Sequence, residues 1–264
     1  MISFVLSCIF FRIVVFSFEL FSLGKKGYFV GKKCWECNRK LIEFLRWSAI
    51  INTAGIFEKG VHQMYLLETH MHTSEGSRCG RSSAAEMMEE YGRKGYAGVV
   101  VTNHFYTQQT KVDPELSWSD RVEKYRDAFE IARKEGMRRG LTILFGIEFH
   151  VNYYDLLTLN ITPEQFLKHP EFYNCSFTEY CDQIHAMGGY VVNAHPFREA
   201  SYVPPRTCPP NHTHIDGVET FNGANGNPAS INHNGKAHAF ALQHGLAQTA
   251  GSDAHHVNMI NSGI

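Results

Sequence analysis

From Met64 onward, short apolar segments alternate with longer segments that carry apolar residues at helical spacing. The short segments predict seven strands, at residues 65–69, 98–102, 141–145, 154–159, 190–194, 217–221 and 246–250. Helices are predicted between strands, beginning near Ser83, Ser119, Thr162, Ser176 and Ala229. Strands that alternate with helices predict parallel βα units, arranged either as a barrel or as an open sheet.

Residue types that commonly bind metals border nearly all of these strands. They are His70 and His72 after the first strand, His104 after the second, Glu148 after the third, Asp155 at the start of the fourth, His195 after the fifth, and Asp253 and His255 after the seventh. Strand ends converge at the mouth of a barrel and do not converge along an open sheet. The positions of these residues therefore favour a barrel.

The segment Glu68-Thr-His-Met-His-Thr-Ser-Glu75 contains the first of these residues. Alternate residues of a strand point to the same side, so His70 and His72 can face one point in space. Alone, this spacing does not distinguish a metal site from a polar loop that contains histidines. The chain has 15 histidines, and imidazole is the commonest protein ligand for zinc and similar metals.

Composition narrows the classes of partner. The 264 residues suffice for one sizeable domain, alone or with an appendage. With 25 basic and 26 acidic residues the formal net charge is −1, which gives no basic field to attract nucleic acid. The seven cysteines are scattered and odd in number, which predicts a reducing, cytoplasmic compartment without a disulfide framework. The pair Cys34 and Cys37 has no second pair at zinc-site spacing.

The N-terminal region differs from the rest. Residues 2–21 are almost uniformly apolar, but Arg12 lies at mid-span, where an arginine costs about 2.5–3.5 kcal/mol on insertion scales. The sequence therefore predicts an N-terminal extension, residues 1–62, and a separate α/β domain, residues 63–264. The extension has three interpretations: a non-native or poorly ordered segment, a weak membrane anchor, or a small module. Any membrane association is expected only through residues 2–21.

Five motifs in order resemble the PHP (polymerase and histidinol phosphatase) superfamily. They are His70-Met-His72, Thr102-Asn-His104, Gly146-Ile-Glu148, Ala194-His-Pro196 and Gly251-Ser-Asp-Ala-His255. The resemblance covers residues 64 to about 257. It implies an α/β fold, a distorted TIM-like (β/α)7 barrel of the PHP type. It also implies two or three divalent metal ions at the barrel mouth.

The resemblance implies three ligand sets. The first is His70, His72, Glu148 and Asp253; the second is Glu75, His104 and His255; the third is Glu148, Asp155 and His195. Mixed imidazole and carboxylate ligands suit Zn²⁺, Mn²⁺ or Fe²⁺. Glu148 is the expected bridging ligand, because a carboxylate has two oxygens to share.

The sequence departs from the family pattern at several positions. Asn103 stands where the family usually has Asp, and Asp155 where many members have His. Glu75 is the nearest candidate for an acidic or histidine ligand after His72. The chain ends nine residues after His255, where the family would build a closing helix, which predicts a C-terminally truncated chain.

The resemblance predicts a histidinol-phosphatase-like phosphoesterase that hydrolyses a small phosphorylated substrate. Glu148 and Asp253 are its expected catalytic residues, and Arg198 and Asn222 are expected to contact substrate. Strand parity assigns Glu219 to the barrel structure. Two alternatives stay open: a nuclease or nucleotide phosphodiesterase of the same superfamily, and a metal-binding structural or regulatory domain with weak catalysis.

Overall fold

A computed structural model describes residues 65–105, 110–151, 154–199, 212–225 and 232–262. Its strands are β1 Leu66–Glu68, β2 Tyr96–Val101, β3 His104–Phe105, β4 Thr142–Val151, β5 Tyr154–Leu159, β6 Tyr190–Asn193, β7 Gly217–Asn222 and β8 Ala247–Gly251. Its α-helices are α1 Ala84–Arg93, α2 Trp118–Met137, α3 Pro163–Leu167, α4 Phe177–Ala186 and α5 His233–His244. None of the helices in these ranges has the length and apolar character needed to span a membrane.

The predicted N-terminal extension lies outside the described residues, and so do the apolar segment 2–21 and the Cys34 and Cys37 pair. The domain boundary at residue 63 therefore stays a prediction.

The strands form a nearly closed barrel. Their order is β1-β2-β4-β5-β6-β7-β8, and the short β3 pairs with β4. The segments that follow β1 and β8 meet in a parallel bridge between Met71 and Ala254. Backbone hydrogen bonds reinforce it, from His72 N to Ala254 O (2.9 Å) and from Asp253 N to His70 O (2.8 Å). The distorted seven-stranded barrel predicted from the sequence is confirmed.

The prediction of parallel units throughout is wrong at β5. This strand runs antiparallel to both neighbours, β4 and β6, whereas the other paired strands are parallel. Only two residues separate β4 from β5. A parallel crossover needs about a dozen residues or more, so the chain must turn back on itself here. The reversal brings the amino end of β5, with Asp155, to the edge where the parallel strands have their carboxyl ends.

Strand β4 is longer than predicted. It continues to Val151, so that Glu148 lies within the strand and not after it. Glu148 pairs with His104 of β3, a two-residue strand that the sequence pattern does not indicate. The neighbouring Phe149 points to the opposite face, where its ring stacks on Tyr180 at 4.2 Å between centroids. This packing fixes the register that presents Glu148 to the mouth.

Four of the five predicted helix starts lie within one residue of the observed ones, whereas the helix predicted to begin near Ala229 begins at His233. The side chain of Ser83 accepts a hydrogen bond from Glu86 N, and Glu86 accepts one from Ser83 N, which completes a capping box. Ser176 and Glu179 form the same arrangement at α4. Such caps contribute about 1 kcal/mol each to stability. They fix where helices begin, and hence the length of the loops that carry the functional residues.

Candidate metal centre

Histidines and carboxylates converge at the barrel mouth. Ligand atoms lie within 4.8 Å of one another in four groups: His72, His104 and His255; His70, His72 and Glu148; His70, His195 and Asp253; Glu148, Asp155 and His195. These groups contain eight of the nine metal ligands predicted from the sequence. The last group is the third predicted ligand set.

The innermost atoms have the spacing that a shared ion requires. His72 Nε2 lies 3.2 Å from Glu148 Oε2 and 3.2 Å from Asp253 Oδ1. His70 Nε2 is 3.4 Å from the same two oxygens. Two ligand atoms that each lie about 2.0–2.2 Å from one ion, at ordinary coordination angles, are about 2.8–3.6 Å apart. The donor spacing therefore fits a divalent metal.

Buried polar atoms without partners support the same conclusion. Among the described residues, His104 Nδ1, Glu148 Oε2 and His195 Nδ1 are buried and make no hydrogen bond. His104 Nδ1 lies 2.9 Å from Glu148 Oε2, but without hydrogen-bond geometry. An unsatisfied buried polar atom costs about 1–3 kcal/mol, so three of them at one place need an explanation. Coordination to an ion supplies one.

The structure does not bring Glu75 into any of these groups. Both of its carboxylate oxygens lie 3.0 Å from Ala84 N, at the amino end of α1, where the helix dipole stabilises a negative charge. His72 takes its place beside His104 and His255 in the second set. The sequence offered no sign that the carboxylate would be engaged by the following helix.

Backbone conformation marks two of the converging residues. His195 has φ 28° and Asp253 has φ 51°, both in the left-handed region that non-glycine residues rarely adopt. Such residues cost about 1–3 kcal/mol each and persist where the surroundings hold them, most often at functional sites. They follow β6 and β8, and the strained turns direct their side chains into the mouth.

Glu219 is the functional residue whose contact the sequence did not reveal. His70 Nδ1 donates to Glu219 Oε1 at 2.9 Å. Glu219 Oε2 accepts from His195 N at 2.9 Å and from Asn222 Nδ2 at 2.8 Å. A carboxylate that holds one ring nitrogen of a ligating histidine fixes the tautomer and aims the other nitrogen at the metal. Glu219 thus presents His70 Nε2 to Glu148 and Asp253.

The electrostatic balance of the mouth favours ionised carboxylates. Burial opposes ionisation of Glu148, but the positive potential of His104 and His70 outweighs it and holds the Glu148 pKa well below its usual range. Burial opposes ionisation of Asp253 too, and His70 with a hydrogen bond from His72 keeps its pKa well below normal. Burial also disfavours protonation of His70, but Glu219 and Asp253 raise its pKa well above normal. The mouth therefore attracts positive charge.

The two predicted substrate contacts lie beside Asp253. Arg198 Nη2 is 2.7 Å from Asp253 Oδ2 and donates to Asn222 Oδ1 at 2.7 Å. Asn222 is fully buried, and its amide also donates to Glu219 and Asp253. Its contacts are those of a residue that holds other side chains in place.

The fold and the mouth together define a barrel whose side chains could hold metal ions, and comparisons with known proteins find similar barrels. Residues 232–263 match the family model described as PHP-associated (PHP_C). A protein from Bifidobacterium adolescentis, proposed to be a metal-dependent phosphoesterase, superposes with a TM-score of 0.51 and 14% identity over 74% of this chain and 89% of that one. No curated protein matches the sequence.

A second solved structure, from Bacteroides vulgatus, is a two-domain protein containing a predicted PHP-like metal-dependent phosphoesterase. It superposes with a TM-score of 0.53 and 16% identity over 72% of this chain. The chain spans only 51% of the length of that protein. The C-terminal match and the shared fold confirm the resemblance to the PHP superfamily that the sequence motifs indicate.

Proposed function

We propose that this protein is a metal-dependent phosphoesterase that hydrolyses a small phosphorylated substrate at the barrel mouth. The observation that carries the proposal is the convergence of eight histidine, aspartate and glutamate side chains with three unsatisfied buried ligand atoms among them. The names of the two structural neighbours, which refer to phosphoesterases, support the same reaction class.

Two or three divalent ions, Zn²⁺, Mn²⁺ or Fe²⁺, suit the mixed ligand set. An inner site would use His70, His72, Glu148 and Asp253, and His104 with His255 would extend it. An outer site would use Glu148, Asp155 and His195. Bound there, such ions lower the pKa of a coordinated water and offset the charge of the phosphate.

We assign the bridging role to Glu148 because its two oxygens face different partners. Oε2 lies near His70, His72 and His104, while Oε1 is 3.2 Å from His195 Nε2. The two oxygens of Asp253 also face different partners: Oδ1 lies near His72 and Oδ2 lies near Arg198. These two carboxylates are therefore the proposed catalytic residues, placed where ions and substrate would meet.

We propose that Arg198 binds the phosphate group of the substrate. Its guanidinium is already at the mouth and is partly exposed, and its fork of donors matches phosphate oxygens. Asn222 is reassigned from substrate contact to support, because it is fully buried and holds Arg198 through Oδ1. A near-neutral chain favours small substrates over long nucleic acids.

Assays of the 264-residue chain test the proposal. Elemental analysis measures bound metal, and phosphate release is compared for p-nitrophenyl phosphate and its bis-ester with added Mn²⁺ or Zn²⁺. We expect bound metal and release from the monoester. Activity on the diester alone would favour the phosphodiesterase alternative, and bound metal without turnover would favour the regulatory one.

His72→Ala is expected to remove the inner metal and to lower phosphate release by at least about a hundredfold, since ion-derived stabilisation amounts to several kcal/mol. The matched control is His214→Ala. His214 precedes the amino end of β7, away from the barrel mouth, and pairs with the exposed Asp182. Its replacement should therefore leave the metal content unchanged. Full activity of His72→Ala would refute the site.

A further inference from the structure

We infer that His150 is a positioning residue that orients Asp155 for the outer metal site with Glu148 and His195. The inference rests on the proposed function and adds a residue to it. The sequence motifs give His150 no role, since it lies in the segment between the third and fourth predicted strands.

The β4–β5 hairpin places the two side chains opposite each other. His150 and Asp155 are direct partners in the antiparallel pairing. Side chains at directly opposed positions are about 4.5–5.5 Å apart at Cβ, close enough to interact. His150 Nδ1 lies 2.7 Å from Asp155 Oδ1, and because an ionised carboxylate only accepts, the imidazole is the donor.

The hydrogen bond leaves the second oxygen of Asp155 directed at the outer group. Asp155 Oδ2 is 3.9 Å from His195 Nδ1, a buried atom without a hydrogen-bond partner. Asp155, His195 and Glu148 have ligand atoms within 4.8 Å of one another. One carboxylate oxygen is thus held by His150 while the other faces the place where an ion would bind.

The main chain of Asp155 is fixed independently of His150. Its carbonyl oxygen accepts hydrogen bonds from Asn193 Nδ2 at 3.0 Å and from Ala194 N at 2.9 Å. Loss of His150 would therefore release rotation of the carboxylate without moving the strand. Carboxylates that bind metals are commonly held by such a partner, whose removal weakens metal binding about 10–100-fold.

Exposure explains why this carboxylate needs a dedicated partner. The side chain of Asp155 is 22% exposed, against 2% for Glu148 and Asp253, so water competes for its oxygens. Glu148 and His150 are two residues apart on β4 and lie on the same face of that strand. Strand β4 would therefore supply Glu148 as a ligand for the outer ion, and also His150, which orients a second ligand, Asp155.

Metal titration of the chelator-treated 264-residue protein tests the inference without reference to turnover. Calorimetry with Mn²⁺ and elemental analysis count the bound ions, and the visible spectrum of a Co²⁺-loaded sample reports their ligands. We expect His150→Ala to weaken the affinity of the outer site for its ion about 10–100-fold. The affinity of the inner site should remain unchanged. Melting in the presence of EDTA verifies that the variant folds.

His150→Asn should restore binding to within about threefold, because the asparagine amide nitrogen can occupy the position of Nδ1 and donate to Asp155. A role in ring packing or charge would not be rescued in this way. The matched control is His169→Ala, which removes another partly exposed histidine, 2.8 Å from the carboxylate of Glu171, and should not change metal binding.

Wild-type affinity in His150→Ala would overturn the inference and leave the proposed function standing. Equal loss in His150→Ala and His150→Asn would also overturn it, since the hydrogen bond would not be the cause. A wild-type protein that binds no metal would overturn the proposed function and this inference together.

Discussion

Two parts of the barrel mouth reach the same place by different routes. The inner part, around His70 and His72, lies at the carboxyl end of β1 and is fully buried. The outer part, around Asp155, lies at the amino end of the antiparallel β5 and is partly exposed. Each part has a residue that orients the proposed ligand: Glu219 for His70 and His150 for Asp155.

The two parts differ most in the sequence distance their contacts span. His70 and Glu219 are 149 residues apart, so their contact exists only once the barrel has formed. His150 and Asp155 are five residues apart within one hairpin. We infer that the inner part depends on global folding, whereas the outer part can change without affecting the rest of the mouth. Glu148 lies between the two parts, with Oε2 near His72 and Oε1 near His195.

Replacing Glu148 should have the largest effect because it disrupts both parts at once. Glu148→Gln keeps the shape of the side chain but removes its charge. We expect loss of inner and outer ions and a fall in phosphate release of about a thousandfold or more, equivalent to several kcal/mol of lost charge stabilisation. Elemental analysis and initial rates measure the two effects.

The control for that change is Glu179→Gln. Glutamine can replace glutamate in the capping box of α4, so stability and metal content should remain those of wild type. If Glu148→Gln kept one full equivalent of metal and wild-type rates, the bridging assignment would be wrong.

Glu219→Gln should affect the inner part more than the outer part. If the amide oxygen accepts from His70 Nδ1, the amide nitrogen must face the donors His195 N and Asn222 Nδ2. If the amide flips, its nitrogen donates to His70 Nδ1, and the ring proton moves to Nε2, the atom that faces Glu148. Either orientation weakens the inner site.

We expect inner-ion affinity to fall about 10–100-fold in Glu219→Gln, while the outer class of ion is less affected. The Co²⁺ spectrum should change along with the affinity, because a ligand nitrogen is altered. The opposite pattern, loss of only the outer ion, would contradict the division of the mouth into these two parts.

The sequence allowed the barrel and most of the converging residues to be predicted because ligand types recur at the ends of regular strands. It did not reveal the extent of β4, since Gly146 resembles the end of a strand. In the structure Gly146 lies within β4, where a Cβ would be 2.7 Å from Val100 Cγ1. With the strand ended too early, the two-residue connection and the reversal of β5 could not be recognised.

The same limit applies to individual residues, because tertiary contacts decide what their side chains bind. Strand parity assigned Glu219 to the barrel structure, but it could not identify its partner His70, which is distant in sequence. The carboxylate of Glu75 is near His72 in sequence, yet it binds the first turn of α1. Local spacing cannot distinguish a carboxylate that faces the mouth from one that caps a helix.

The smallest effect is expected at Asn103, where the family usually has aspartate. Its Oδ1 accepts from Thr73 N at 2.8 Å and from Ser77 Oγ at 3.0 Å, and its Nδ2 donates to Thr73 Oγ1 at 3.1 Å. In Asn103→Asp the two accepted bonds persist, and the Thr73 hydroxyl can rotate from acceptor to donor. Ser77 then still supports His72 and the backbone of His104.

We therefore expect Asn103→Asp to change metal affinity by no more than about threefold, which is under about 1 kcal/mol. Asn103→Leu is the contrasting variant. It leaves Thr73 N without its acceptor and should weaken the ion near His72 and His104 well beyond that limit. Calorimetric titration of both variants measures the difference, and equal affinities would show that the loop from Thr73 to Ser77 does not support the inner part.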